Sequence, residues 1–501
     1  MMSLEHFDVL IVGAGLSGVG AAYHLKTEAP GKSFAIFEAR ERLGGTWDLF
    51  RYPGIRSDSD MYTLGYAFQP WREAKAIADG PSILAYVQRV AAENGILEKI
   101  RYRRRVTSAA WSSETALWTV RADDGAGGEA SVTCRFLLMC SGYYDYAGGH
   151  DPAFPGEADF AGAVVHPQAW PEGLDYAGKR VVVIGSGATA VTLVPEMART
   201  AAHVVMLQRS PTYVVSRPAE DGFANWLRRR LPARLAYGLV RWRNVLLGMF
   251  FFTQMRKKPL EAKAQLVKMV RAQLGPDYDV ETHFTPRYNP WDQRICLVPD
   301  ADLFAAIRSG RAEVVTDQIE RFTKTGLALA SGREIPADLV VKATGLKLKL
   351  LGGMEVSVDG ERRRLADLMT YKGMMFSDTP NLALISGYTN ASWTLKADLI
   401  SEYVCRLLRH MDKKGYVQCV PRRGDAVGEA PWLDFSSGYV VRAMAEFPKQ
   451  GAAKPWKLHQ NYLLDLLNLR YDRLEDGVME FKRAAPAAPL AAPAPERIAA
   501  E

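Results

Sequence analysis

Apolar residues follow two different spacings along this chain, and their order is repeated. Residues 7–12 are short, apolar and β-branched, as in a strand buried on both faces. A glycine turn opens at Gly13, residues 16–26 carry apolar side chains at helical period, and residues 33–39 form a second buried-strand pattern. Parallel strands joined through a helix need a crossover, so these segments predict one βαβ unit. The order returns with a strand at 180–184, a turn at 185–187, a helix at 188–200 and a strand at 203–208. Two such units predict an α/β chain with two Rossmann-like dinucleotide-binding domains.

The stretches between them place the boundaries. Residues 118–136 read as a hairpin with Asp123-Asp124-Gly125 at its tip, and 146–155, rich in Gly and Pro, as a linker. Residues 225–275 keep a helical period and are rich in Arg, Trp and Phe. A further hairpin at 327–335 and a strand at 339–343 follow. The expected division is a first domain at 1–145, a linker at 146–171, a second domain at 172–335, a return to the first domain at 336–482, and a disordered Ala/Pro tail at 483–501.

Composition narrows the class. Of 501 residues 48% are hydrophobic and 24% charged, which fits a globular chain of two to four domains. The net charge of +7 suits phosphorylated cofactors and does not call for nucleic acid. The basic run Arg101-Tyr102-Arg103-Arg104-Arg105 reads as the outer face of a strand. The five cysteines form no CxxC pair and no zinc spacing, so no metal is expected. Glu5 and Asp8 stand where a signal peptide would be basic, and the longest apolar run, 245–252, is too short to span a bilayer; a cytoplasmic protein is expected. Between Trp226 and Lys258, Arg and Lys interleave with Trp, Leu and Phe. That stretch has two compatible readings: a helix in peripheral contact with a membrane, and the helical insertion at 225–275 in the second domain that resemblance to a known enzyme family implies.

The candidate chemistry begins at Gly13-x-Gly15-x-x-Gly18. Gly13 permits a tight turn, Gly15 lets backbone approach a pyrophosphate, and Gly18 lets helix pack on strand. Glu38, at the end of the next strand, can accept bonds from the hydroxyls of an adenosine ribose. Gly125-x-Gly127-x-x-Ala130 also fits the relaxed pattern, but it lies in a hairpin and is rejected. The second motif, Gly185-x-Gly187-x-x-Ala190, is followed by Gln208-Arg209 instead of an acid. Arg209 can pair with a 2′-phosphate, which favours NADPH over NADH.

Between the units lies Phe160-x-Gly162-x-x-x-His166-x-x-x-Trp170-Pro171. This string resembles the fingerprint of Baeyer–Villiger monooxygenases. The related N- and S-oxygenating flavin monooxygenases share its first half but usually lack the Trp-Pro ending. Three further stretches are similar to the mycobacterial ethionamide-activating branch: residues 55–62, 288–294 and 387–393. The resemblance covers most of the chain and implies FAD and NADPH as cofactors. It implies Arg294 as the catalytic arginine and Asp58 as the carboxylate bonded to it, although many relatives have Lys-Arg where this chain has Gln293-Arg294. On residue types alone these two would read as a surface ion pair. The resemblance places Ser17, Glu38, Thr46, Trp47, Asp58 and the backbone of Val106 at FAD. It places Arg56, Ser57, Gly185, Ser186, Gly187, Ala188, Thr189, Ala190, Arg209 and Ser210 at NADP. Phe160, Gly162, His166, Trp170 and Pro171 would be the hinge. Asn390 and Trp393 are candidates for the pocket wall. The implied activity is conversion of small apolar ketones to esters with O2 through a C4a-peroxyflavin, with S-oxidation of thioethers and thioamides. N- or S-oxygenation without ketone insertion is the alternative.

Overall fold

The computed structural model describes residues 4–424 and 427–484. The strand Glu5–Val12 is flanked in parallel by Phe34–Phe37 and Glu129–Met139, with the helix Leu16–Glu28 as crossover. An eleven-stranded sheet grows from this centre. Leu382–Leu384 pairs in parallel with Glu129–Met139, and the antiparallel strands Val106–Ser112 and Leu117–Asp123 extend the other part of that long strand. The hairpin tip at 124–128 explains the rejected glycine pattern. Gly125 and Gly127 both have positive φ, and the Asp124 carboxylate accepts the N–H groups of Ala126 and Gly128.

The second sheet is wholly parallel, in the order Ala312–Thr316, His203–Gln208, Arg180–Ile184, Leu339–Lys342, Ala163–Val165. Two expected boundaries move. Leu339–Lys342 sits between two strands of this sheet instead of beginning the return to the first domain, and Ala163–Val165, expected within a linker, is its edge strand. A four-residue apolar run carries no mark of its partner, which only the assembled register supplies. The chain rejoins the first sheet at Glu355–Val358.

The insertion is three helices, Gly222–Arg228, Ala233–Lys257 and Pro259–Leu274. They bridge the two domains. Ala224, Leu227, Ala236, Tyr237 and Val240 belong to the core under the first sheet, whereas Val270 joins the core of the second. Buried Arg241 anchors the long helix by donating to the carbonyls of Tyr62 and Gly65, both at 2.8 Å, and it faces Asp398 at 3.5 Å. Removing one partner of such a buried pair typically costs about 3–5 kcal/mol.

Asp398 also faces His24, whose Nδ1 lies 2.8 Å from Glu28. Burial opposes a charged ring, but the two carboxylates outweigh it and hold His24 at about 9. A histidine whose folded pKa is raised stabilises the fold fully below its unfolded value, near 6.5, and loses that contribution as pH climbs through 9. Stability is therefore expected to fall by up to about 3 kcal/mol between pH 6.5 and 9.5. Urea midpoints across that window should show the slope in the wild type and little of it in His24→Gln; equal slopes would reject the assignment.

Two smaller expectations are corrected. The basic run is mostly a connection: only Arg101 lies in a strand, Ile100–Arg101, and the following residues wrap the end of Phe34–Phe37, with Arg103 N and Arg104 N donating to the carbonyls of Arg40 and Glu38. Its arginines disperse into separate pairs with Glu5, Glu41 and Asp123. Arg483, expected to begin the disordered tail, ends the strand Met479–Arg483, paired with Tyr416–Pro421. Residues 485–501 lie outside the described residues.

Candidate active site

A cleft of about 460 Å³ opens beyond the carboxyl ends of the parallel strands Glu5–Val12 and Glu129–Met139 of the first sheet and beside the helix that follows Arg180–Ile184 in the second. Its first wall is the turn after Glu5–Val12. Gly13 has φ +107°, and a Cβ there would stand 2.6 Å from the Cys140 carbonyl oxygen. A Cβ on Gly18 would stand 1.9 Å from the Gly13 oxygen. Gly15 caps the helix Leu16–Glu28 without a side-chain bond, so the first N–H groups of the helix remain available for an anion. A Cβ on Gly45 would stand 2.9 Å from the Gly15 Cα, so the two glycine loops are in backbone contact.

Glu38 follows the strand Phe34–Phe37 and is buried. Its carboxylate accepts from Ala14 N at 2.7 Å and Arg40 N at 2.9 Å. Burial raises its pKa despite those bonds. It thus braces the glycine turn while lining the cleft. Thr46 and Trp47, on the short helix Thr46–Leu49, and Val106 line the same cleft. Ser17 Oγ accepts from Trp393 Nε1 at 2.7 Å, and the indole stacks on Tyr143 with ring centres 5.1 Å apart. Trp393 therefore lines the wall as expected, but Asn390 does not. Asn390 donates to the Gln460 carbonyl at 2.9 Å, and Tyr388 and Ala391 line the cleft instead. The backbone entering the helix Trp393–Lys414 sets those directions, which spacing alone cannot show.

Arg294 and Asp58 meet in this cleft. Arg294 Nη1 lies 2.5 Å from Asp58 Oδ2, and both side chains line the cavity that also contains Gly13, Gly15 and Trp393. Arg294 stands just before the strand Cys296–Pro299, in a loop clamped from two sides. Asp292 accepts from Arg256 Nη1 at 2.8 Å, and its carbonyl accepts from Ser436 N and Oγ at 2.9 Å. Asp58 is the main cause that holds the Arg294 pKa above even its usual high value, outweighing burial, and the phenols of Tyr143, Tyr439 and Tyr144 stand near the guanidinium. Burial in turn pushes Tyr144 well up, so its phenol stays protonated. Sequence reasoning missed these tyrosines. The available signal for two of them was position, because Tyr143 and Tyr144 come four and five residues after the carboxyl end of the strand Glu129–Met139, where ligands of open α/β sheets bind.

The second glycine turn stands just outside the cavity lining and begins at Gly185, with φ +137° and a would-be Cβ 2.4 Å from the Ala343 oxygen. Gly187 caps Ala188–Met197, and a Cβ there would meet nothing within 4 Å. Ala188 and Thr189 line the cleft, Ala190 is buried in the second core, and Ser186 Oγ donates to the Ser210 carbonyl at 3.0 Å. Arg209 is exposed and has no ion-pair partner among the described residues. Arg56 also lines the cleft, but its guanidinium pairs with Asp302, with Nη1 2.5 Å from Oδ2. Ser57 is buried, its Oγ accepting from Ser59 N.

The string from Phe160 to Pro171 lies off the cleft. Phe160 packs edge-on against Phe322, and a Cβ on Gly162 would stand 2.5 Å from the Asp338 oxygen. His166 Nδ1 accepts from Gln168 N, while Nε2 is buried without a partner and burial lowers the pKa, so the ring is neutral. Trp170 packs on the second core and Pro171 is exposed.

The sequence signature described as flavin-binding monooxygenase-like matches residues 72–350, more than half the chain. The chain belongs to this family. A second signature, an NAD(P)-binding Rossmann-like domain, matches residues 11–77, around the first glycine turn. This flavin-binding monooxygenase-like chain is 55% identical over 485 residues to the FAD-containing monooxygenase EthA of Mycobacterium tuberculosis, covering 96% of this chain and 99% of that one. It is 48% identical to a probable FAD-binding monooxygenase AlmA of Acinetobacter baylyi, covering 96% and 97%. Among solved structures it resembles an oxidized steroid monooxygenase bound to NADP, with a TM-score of 0.69 and 27% identity over 83% of this chain and 87% of that one. None of the helices among the described residues is long and apolar enough to cross a membrane.

Proposed function

We propose that this flavin-dependent monooxygenase holds FAD along the first wall of the cleft and NADP(H) along the second, and uses O2 to convert small apolar ketones to esters. S-oxidation of thioethers and thioamides would be a second activity. The overall balance is ketone, O2, NADPH and a proton giving ester, water and NADP+. One observation carries the reading: a charged guanidinium, fixed by Asp58, stands in the same cleft as the dinucleotide turn.

The residues fit both groups. Gly45 leaves a backbone cradle against Gly15 that its own Cβ would fill, 2.9 Å from the Gly15 Cα, beside an open helix N-terminus and a ribose-accepting Glu38. Bound flavin, reduced by NADPH, supplies the activation of O2. The chain's own part is charge and enclosure. Arg294 stabilises negative charge building on oxygen in the transition state, Asp58 fixes its orientation, and Tyr144 remains a neutral donor beside it. Trp393 and Tyr143 form an apolar wall that excludes water. Phe160, Gly162, His166, Trp170 and Pro171, at the edge of the second sheet, serve as the hinge across which the walls close.

Incubating FAD-loaded protein with a simple cyclic ketone, NADPH and isotopically labelled O2 should yield an ester carrying one labelled oxygen. Oxidation of a thioether under the same conditions with no ester from any ketone would leave the S-oxygenating alternative.

Cofactor choice rests on Arg209, free to meet a 2′-phosphate, while Arg56 is engaged by Asp302. Arg209→Ala should raise the KM for NADPH by about 10–100-fold, as expected for losing a charge-assisted phosphate bond of roughly 1.5–3 kcal/mol, and barely change that for NADH. Equal loss for both cofactors in steady-state assays would remove the argument.

A further inference from the structure

The three insertion helices carry a charge balance unlike the rest of the chain. Residues 222–274 contain twelve Arg and Lys and one Glu, a net +11, so all other residues together carry −4 of the chain's +7. The long helix Ala233–Lys257 has no acidic residue. Its inner face is buried through Ala236, Tyr237, Val240, Arg241 and Val245. Its outer face presents Leu235, Leu239, Trp242, Leu246 and Phe250, spaced by three or four residues and therefore on one stripe. Each of the five is between 44% and 55% exposed. Phe223 and Trp226 on the preceding helix are also exposed, and their rings stack. Contiguous apolar surface of this kind marks an interaction site. Around it, Arg229, Arg230, Arg234, Lys257 and Lys268 have no acidic partner among the described residues.

We propose that this face docks on an anionic lipid bilayer. The apolar stripe enters the acyl boundary and the unpaired cations meet the headgroups, as in interfacial amphipathic helices. Charge decides between the two occupants that could cover such a stripe. A second copy of the chain would set one cationic face against another, whereas anionic lipid neutralises it. The helix lies on the surface and does not cross, being too polar to span. Its inner side also packs Val245 and Met249 with Tyr388 and Ala391, and the last two line the cleft. A docked molecule therefore holds its cleft about one helix diameter, roughly 10 Å, from the lipid. Delivery of a bilayer-dissolved apolar substrate to the cleft follows only if the reading under Proposed function holds; the docking itself does not depend on it.

The test is sedimentation of full-length, FAD-loaded protein with vesicles of phosphatidylglycerol and phosphatidylcholine, and with phosphatidylcholine alone. Most of the protein should pellet with the anionic vesicles at low salt, and about tenfold less with phosphatidylcholine alone. Leu246→Glu/Phe250→Glu should lower the anionic partition at least about tenfold, and Arg229→Glu/Arg230→Glu should lower it with a weaker salt dependence. Both variants should keep bound FAD and wild-type NADPH oxidation. The proposal is overturned if the wild type stays in the supernatant with anionic vesicles, or if Leu246→Glu/Phe250→Glu pellets as the wild type does. It is equally overturned if light scattering shows a wild-type dimer that this variant converts to a monomer.

Discussion

Arg294→Ala is expected to cut ester formation by about 10²–10³-fold while NADPH still reduces the flavin near the wild-type rate. The two halves of the reaction call on different groups. The proposed binding of the NADPH phosphates rests on the second glycine turn and Arg209, which this substitution leaves intact. In the proposed reaction, stabilising negative charge on oxygen falls mainly to the guanidinium, because the other groups beside it are phenols, of which Tyr144 can donate a hydrogen bond, and the carboxylate of Asp58. Without Arg294, Asp58 would stand uncompensated in the cleft and repel the charge that must form there. NADPH oxidation should therefore continue and end in H2O2 instead of ester. Stopped-flow absorbance reads flavin reduction and mass spectrometry reads ester. Persistence of ester at near wild-type rate would show that position 294 is not the stabilising cation. Arg294→Lys should recover part of the activity, since it keeps the charge and loses the planar fork that Asp58 orients.

Gly18→Ala is expected to produce protein without bound FAD. The added Cβ would stand 1.9 Å from the Gly13 oxygen and 3.0 Å from the Gly13 carbonyl carbon, so backbone has to move. What moves is the turn that Glu38 braces through Ala14 N and that presents the helix N-terminus. A backbone clash of this kind belongs with the largest single-residue effects, on the order of 4 kcal/mol. The contrasting substitution is Gly187→Ala in the second turn. Its Cβ would meet no protein atom within 4 Å, so the fold and the flavin should be kept while NADPH binds more weakly because the pyrophosphate can no longer approach the backbone. Flavin absorbance of the purified variants, followed by NADPH titration, separates the two. A yellow Gly18→Ala protein with unchanged flavin affinity would mean that the first turn is not the FAD cradle.

Local chemistry made much of this legible beforehand. Glycines whose neighbours leave no room for a side chain, strands buried on both faces and helices entered at a glycine all leave marks within about thirty residues of chain, because a βαβ unit is built from contiguous segments. The two turns, the strands at 180–184 and 203–208 and the helical character of 225–275 could be read in that way, whereas the division of that stretch into three helices came from the structure. The ion pair between Arg294 and Asp58 could be named only through likeness to a family, since 236 residues separate its members and neither is unusual by itself.

What spacing could not carry were choices between distant partners. The run 339–342 would suit either sheet, and the register with Arg180–Ile184 assigns it to the second. The insertion helices share apolar residues between two cores, an arrangement set by Arg241 reaching the carbonyls around Tyr62. Tyr143 and Tyr144 face Arg294, and Asn390 turns away, because of how a strand end and a helix start meet across the cleft. Periodicity along a chain reports which face of an element is buried; it holds no information about which remote surface does the burying, and that contact is settled only when the elements pack.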